Sequence, residues 1–168
     1  DSLRAKLLGL QTREAIVVGG TGVVSDHVVE TLTAMGIDVR RIAGSDRYAT
    51  SRAVADHLAE MGHTKYCWMA RGDEFPYALA LAPIATQFPG PVLLTRTDSL
   101  PASTLSALQS YDYDYALVAG GTSAVSPAAY SAIQAEIPAG QVWRASGSTR
   151  YETAAAVAHV AKAVPFVV

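Results

Sequence analysis

The sequence is poor in charged residues, in cysteine and in long apolar runs, and each shortage excludes a class of protein. Charged side chains make up 17% of the 168 residues and the net charge is -2. This excludes an acidic or basic tail and a broad electrostatic surface for nucleic acid. The single cysteine, Cys67, excludes a disulfide framework within the chain and a zinc knuckle. No apolar run reaches the roughly 18 residues of a membrane-spanning helix, so no span is predicted.

Motifs for catalysis and for cofactors are also missing. The sequence contains no G-x-S-x-G elbow, no Walker loop and no H-E-x-x-H zinc motif. We therefore predict no catalytic residue, no metal site and no cofactor. The chain begins at Asp1 without a charged and apolar leader. On these grounds two compartments stay open, the cytoplasm or the cell exterior after loss of a signal peptide.

Alanine and arginine are the residue types present in excess. Half of the residues are apolar, which is enough for a sizeable core, and 30 of them are alanine, a composition that favours closely packed helices. Ten arginines stand against three lysines. Since a guanidinium binds carboxylate or phosphate with two hydrogen bonds, this bias favours local anion-binding positions.

The chain repeats itself. AIVVGGTGVVS at 15–25 matches ALVAGGTSAVS at 116–126, and RIAGSDRYAT at 41–50 matches RASGSTRYET at 144–153. The offsets are 101 and 103 residues, so the repeated unit is a small domain rather than a solenoid repeat.

The repeat predicts a division of the chain into three parts. Residues 1–40 correspond to the C-terminal part of a unit, residues 41–143 form one complete unit, and residues 144–168 begin a further unit.

Short apolar runs alternate with helical patterns along the whole chain. The runs have strand length and lie at 15–18, 37–42, 65–70, 91–95, 115–119 and 141–145. Continuous apolar strands that alternate with helices predict an α/β fold with parallel sheets covered by helices on both faces. The expected architecture is three-layered, Rossmann-like or Toprim-like, and tandemly repeated.

A glycine-rich turn follows a predicted strand in both copies of the repeat. Its residues are Gly19, Gly20 and Thr21, and again Gly120, Gly121 and Thr122. Such a turn brings backbone N–H groups to a phosphate, or it simply joins a strand to a helix tightly. The second interpretation is favoured, because Gly22 of the first copy is replaced by Ser123 in the second.

The motif G-S-x-R-Y-x-T is the more specific repeated feature. Its members are Gly44, Arg47, Tyr48 and Thr50 in one copy, and Gly147, Arg150, Tyr151 and Thr153 in the other. An arginine in the first helical turn opposes the helix dipole, so a carboxylate of a neighbouring unit or an anionic ligand should compensate it. Contact between units is the favoured interpretation.

The segment RGDEFPYALALAPIA at 71–85 ends a strand and begins a helix at Pro76. We expect this helix to bury Leu79, Pro83 and Ile84. An adhesion signal at the Arg-Gly-Asp triplet is disfavoured, because so short a motif is common by chance.

The segment PVLLTRTDSLP at 91–101 combines a buried strand with a polar loop. Thr95 and Arg96 fall at the carboxyl end of the strand, where parallel sheets bind ligands. Hydroxyl groups and an arginine suit a polymer that carries phosphate or sugar. A solvated loop that precedes the next helix is an equally weighted alternative.

The order and spacing of four motifs resemble the type 2 cell wall-binding repeat. That family occurs in surface-layer and wall-associated proteins of Gram-positive bacteria. The motifs are R-x-x-G-x-x-R-Y-x-T, G-D-x-F-P-x-A-L, P-x-L-L-T and V-x-G-G-T, at Arg41–Thr50, Gly72–Leu79, Pro91–Thr95 and Val118–Thr122. Tyr77 stands where the family commonly has aspartate.

The resemblance implies a non-catalytic module that anchors a secreted protein to the cell wall, without a covalent bond, through an anionic, teichoic-acid-like polymer. It implies tandem repeats, usually three, packed around a pseudo-threefold axis. The family's polymer-contacting segment corresponds to Pro91, Val92, Leu93, Leu94 and Thr95. Its arginines near repeat interfaces correspond to Arg47 and Arg150.

We predict that Arg96, the hydroxyl groups around it, Arg47 and Arg150 bind the polymer. Self-association through repeat contacts is a further prediction, and nucleic acid is not expected as a partner. Two alternatives stay open: a small α/β enzyme or nucleotide-binding domain that uses the GGT turns, and a module for assembly of surface proteins.

Overall fold

The computed structural model describes residues 2–138 and 141–163, which alternate between helices and strands throughout. The strands are β1 (Glu14–Val18), β2 (Asp38–Ile42), β3 (Tyr66–Arg71), β4 (Val92–Thr95), β5 (Tyr115–Ala119) and β6 (Val142–Ala145). The helices are α1 (Ser2–Gly9), α2 (Asp26–Ala34), α3 (Arg47–Glu60), α4 (Phe75–Gln87), α5 (Ala102–Ser110), α6 (Pro127–Glu136) and α7 (Arg150–Ala163). None of these helices is long and apolar enough to cross a bilayer.

All strands pair in parallel, in two sheets. Four strands form a sheet in the order β4-β3-β5-β6, and β1 pairs with β2 in a separate two-stranded sheet. Helices α3, α5 and α6 cover one face of the larger sheet, and α4 and α7 cover the other. The predicted α/β class with parallel strands between helical layers is confirmed. Helix α1 was not predicted, because its residues Ser2–Gly9 show no clear apolar face.

Hydroxyl groups from two helices form hydrogen bonds with the backbone of the edge strand β4. Ser51 of α3 accepts a hydrogen bond from the backbone N–H of Leu94, at 3.3 Å. Thr104 of α5 donates its hydroxyl hydrogen to the carbonyl of the same residue, at 2.5 Å. Both hydroxyl residues are buried. They satisfy backbone groups that an open sheet edge would otherwise present to water or to another chain.

The two copies of the duplicated sequence have the same order of elements but different surroundings. The first copy, α1–β1–α2–β2–α3, corresponds to α5–β5–α6–β6–α7. Strand β5 lies between β3 and β6, whereas in the described residues β1 pairs with β2 alone. As a result, Ile16 on β1 is 51% exposed, while its counterpart Leu117 on β5 is fully buried.

The helix predictions were right about position and partly wrong about burial. Helix α4 begins near Pro76 and buries Ile84, both as predicted, but it also buries Leu81, and Leu79 is 63% exposed. Pro83 is exposed as well. An alanine-rich helix carries no contrast between faces that would reveal which one contacts the sheet.

Candidate binding site at the carboxyl edge of the sheet

The loops after β3 and β4 meet the first turn of α3 at the carboxyl edge of the four-stranded sheet. Since every strand is parallel, every strand-to-helix loop of the unit lies at this edge. The loop after β4 is tied to the loop after β5, two strands away in the sheet, because Ser126 donates its N–H to the carbonyl of Thr97 at 2.8 Å.

The glycine and threonine of the G-S-x-R-Y-x-T motif shape the start of the helix in both copies. The N–H of Gly44 donates to the Thr50 hydroxyl at 3.0 Å, and that of Gly147 donates to Thr153 at 3.1 Å. A Cβ on Gly44 would lie 2.4 Å from the carbonyl carbon of Ala49. These residues are therefore explained by local backbone packing.

Tyr48 and Arg47 connect this helix start to the loop after β3. Tyr48 is 7% exposed, and its hydroxyl donates to the Asp73 carboxylate at 3.3 Å. Arg47 donates to the carbonyl of Gly72 at 2.9 Å and lies 3.6 Å from Asp73. A Cβ at position 72 would come within 2.7 Å of the Tyr48 ring, so only glycine fits there.

The same surroundings raise the pKa of Tyr48. Burial contributes most, the Asp73 carboxylate adds to it, and Arg96 opposes it. Tyr48 therefore stays protonated at neutral pH and acts as a hydrogen-bond donor to Asp73.

Arg96 is placed over Tyr48 and keeps its charge available. Its guanidinium carbon lies 5.5 Å from the centroid of the Tyr48 ring, a cation–π distance. The side chain is exposed, and no carboxylate among the described residues lies within 4 Å of it. Thr95, which is fully buried, donates to the carbonyls of Arg96 and Ser99 at 3.1 Å and so fixes the loop.

A cleft of about 440 Å³ lies between the start of α3 and the loop after β4. It is lined by Ser45, Asp46, Ala49, Arg96, Ser99, Leu100, Pro101, Ala102 and Ser103. Hydroxyl groups, one arginine and one carboxylate face the same open space. This lining suits a polar ligand with an anionic group.

Each GGT turn is held in place by an arginine of the following strand. Arg41 donates to the carbonyl of Gly19 at 2.7 Å, and Arg144 donates to that of Gly120 at the same distance. Both glycines have a positive φ, of 116° and 111°, that side chains rarely adopt. These contacts account for the repeated turns without a nucleotide.

The segment Pro91–Thr95 forms β4 and the residue before it, and it is largely covered. Leu93 and Thr95 are completely buried, with 0% of each residue exposed to solvent, and Pro91 is buried as well. Val92 and Leu94 are partly buried. Any part that Leu93 and Thr95 have in binding therefore comes through positioning the loop that carries Arg96.

Arg150 and Tyr151 lie away from this cleft. They begin α7, which packs on α4 across the sheet from α3. Tyr151 is 80% exposed, although it occupies the same motif position as the buried Tyr48. The structure thus places Arg47 and Arg96 at the same helix start, Arg47 on the Gly72–Asp73 turn and Arg96 over Tyr48, and leaves Arg150 apart.

Several residues of this edge were not predicted from the sequence. Asp46, Ser45 and Ser103 line the cleft, and no ligand contact was predicted from the sequence for any of them. Arg41 and Arg144 were present in the aligned repeats without being singled out. Their recurrence in both copies was the signal available for them.

Two relatives from Bacillus subtilis (strain 168) match most of the chain. It is 34% identical over 152 residues to the N-acetylmuramoyl-L-alanine amidase LytC, covering 90% of this chain and 29% of that protein. It is 33% identical over 143 residues to the Amidase enhancer, covering 83% of this chain and 18% of that protein.

Two solved structures share the fold. Cwp6 from Clostridium difficile superposes with a TM-score of 0.87 at 27% identity, covering 96% of this chain and 26% of that one. Cwp8 from Clostridium difficile gives 0.75 at 27% identity, covering 89% and 24%. The chain spans less than a third of each of these four proteins.

The model of the family described as Cell wall binding domain 2 matches residues 41–130, more than half of the chain. The resemblance drawn from the four sequence motifs is thereby confirmed. On this evidence the protein belongs to the Cell wall binding domain 2 family.

Proposed function

We propose that the chain is a non-catalytic module that holds a secreted protein at the cell wall by binding an anionic wall polymer. The observation that carries this proposal is the exposed Arg96, which lacks a carboxylate partner among the described residues and lines a cleft of hydroxyl groups. In a member of a wall-binding family, such a side chain is suited to a phosphate or carboxylate of the polymer.

Arg47 adds positive charge to the same edge, beside the Gly72–Asp73 turn. Its guanidinium is held by Gly72 and Asp73, so it contributes to the field around the cleft more than to direct binding. Arg150 begins a helix on the opposite side of the sheet. A role for it in polymer binding would need a second contact surface.

The absence of catalysis belongs to the proposal as well. The match to the amidase covers 29% of that protein, so most of the amidase has no counterpart in this chain. A binding module attached to a separate catalytic part accounts for this partial match. The expected location, the cell surface or cell wall, follows from the same relatives.

Retention on purified cell walls tests the proposal. We expect the chain to sediment with intact Gram-positive walls and to stay in the supernatant when the walls have first been stripped of anionic polymer by hydrofluoric acid. High salt should weaken retention, because binding to phosphate or carboxylate is screened. Equal retention on intact and stripped walls would contradict the proposal.

Assembly with further units is a second candidate function, favoured by the two copies of the tyrosine motif. Tyr48 is buried against a Gly-Asp turn and an arginine, whereas Tyr151 is 80% exposed. We propose that residues 41–143 form a complete unit and that Tyr151 marks a surface for another unit with such a turn. Light scattering at high protein concentration tests self-association, and a strictly monomeric chain would contradict it.

A further inference from the structure

The cleft beside α3 contains two opposite charges that do not neutralise each other. Asp46 and Arg96 both line it and both are exposed. Within the described part of the chain, no basic group lies within 4 Å of Asp46 and no carboxylate within 4 Å of Arg96. A ligand in the cleft therefore meets one positive and one negative side chain.

The cap of α3 uses only one of the two carboxylate oxygens of Asp46. Asp46 accepts the N–H of Ala49 at 2.7 Å through Oδ1. In the second copy Thr149 caps α7 with a neutral hydroxyl, which accepts the N–H of Glu152 at 3.2 Å. In α7 the carboxylate of Glu152 lies in the first turn, while α3 has no acidic residue there, so Asp46 also supplies the negative charge that complements the dipole of α3. Its second oxygen, Oδ2, has no hydrogen-bond partner among the described residues and faces the cleft side of the helix start as an available acceptor.

We infer that Asp46 is a specificity-determining residue for the wall polymer, an inference that rests on the proposed function. Arg96 binds the anionic group, and Asp46 accepts hydroxyl hydrogens from the uncharged sugar next to it. A second anionic group at that place would be repelled by the carboxylate. The cleft thus selects polymers whose charges are separated by neutral, hydroxylated units and rejects densely charged chains.

The serines of the lining support a hydroxylated partner. Ser45, Ser99 and Ser103 offer hydroxyl groups that both donate and accept hydrogen bonds. Sugar hydroxyls need donors and acceptors together, whereas a densely charged anion needs donors alone. Asp46 supplies the strong acceptor of this set.

The substitution Asp46→Asn tests this inference, because asparagine keeps the capping oxygen and the size of the side chain. Two probes are compared, a sparsely phosphorylated dextran and inorganic polyphosphate, at one salt concentration. We expect Asp46→Asn to weaken binding of the dextran about tenfold, since a hydrogen bond to a charged group is lost. The same substitution should strengthen binding of polyphosphate.

Asp46→Thr serves as the second variant, since threonine is the native cap of the other copy. It should change affinity for both probes in the same directions, and circular dichroism checks that both variants fold. Unchanged binding of the dextran, or an equal change for both probes, would overturn the inference. Tighter binding of an aminated phosphodextran than of its N-acetylated form would also overturn the inference. That result would show that the Asp46 carboxylate pairs with an ammonium group of the ligand.

Failure of the inference is distinguishable from failure of the proposed function. A chain that is retained on intact walls but does not bind the phosphorylated dextran contradicts the role of Asp46 and leaves wall binding in place. A chain that binds neither walls nor dextran contradicts both.

Discussion

At the residue scale, the duplicated motif shows how one sequence pattern acquires two environments. Gly44 and Gly147 donate the same hydrogen bond to the threonine that follows six positions later. The tyrosines differ, because the Gly72–Asp73 turn and Arg96 surround Tyr48. The repeated glycine and threonine are thus local in origin, while burial of the tyrosine depends on a second loop.

Substitution of the two tyrosines should separate these roles. We expect Tyr48→Ala to lower the free energy of unfolding by about 3 kcal/mol, because it empties a buried aromatic position. Tyr151→Ala, the matched control at an exposed position, should change it by less than about 0.5 kcal/mol. Urea denaturation measures both values, and equal losses would contradict the environments described for the two copies.

Titration of Tyr48 makes the stability of the fold depend on alkaline pH. Its pKa in the folded chain lies above the ordinary value of 10.0, chiefly because of burial. The protonated phenol therefore contributes its full stabilisation below pH 10.0, and this contribution is lost as the pH rises through the higher folded value. We expect the melting temperature of the wild type to fall more steeply with rising alkaline pH than that of Tyr48→Phe. The same pH dependence for both proteins would contradict this prediction.

At the scale of elements, the alternation of strands and helices was predictable from the sequence. Which strands pair with each other, and which face of a helix contacts the sheet, was not. Apolar runs of strand length marked all six strands within a residue or two. The division into a four-stranded and a two-stranded sheet was not predictable, because strands β1 and β5 carry similar apolar sequences. Burial on α4 was predicted correctly for Ile84 and wrongly for Leu79 and Pro83, since alanine on every side hides the contact face.

The two equivalent strands give a direct test of their different surroundings. Leu117→Ala should cost roughly 3 kcal/mol, because it leaves a cavity under α4 in the fully covered sheet. Ile16→Ala, at the equivalent position of β1, should cost roughly 1 kcal/mol or less, since half of that side chain is already exposed. Chemical denaturation of the two variants checks the order, and a larger loss for Ile16→Ala would contradict it.

At the scale of the whole molecule, the sequence predicted the edge of the sheet at which the proposed site lies better than the residues that line its cleft. Parallel strands put the loop after β4 at the carboxyl edge, and Arg96 was predicted there. The cleft itself was not predictable, because it also needs Ser45 and Asp46, which precede it in the chain by about 50 residues. Leu93 and Thr95 were predicted to contact polymer, but the structure buries them.

The affinity of purified anionic wall polymer for three forms of the chain tests the central claim most directly. The forms are the wild type, Arg96→Gln, and Arg13→Gln as a control that removes the same charge just before β1, in the two-stranded sheet. We predict that Arg96→Gln binds about tenfold more weakly and that Arg13→Gln stays close to the wild type, because a charge-assisted hydrogen bond is lost in the first variant alone. Equal affinity of all three forms, or equal weakening of both variants, would contradict a polymer site at this cleft.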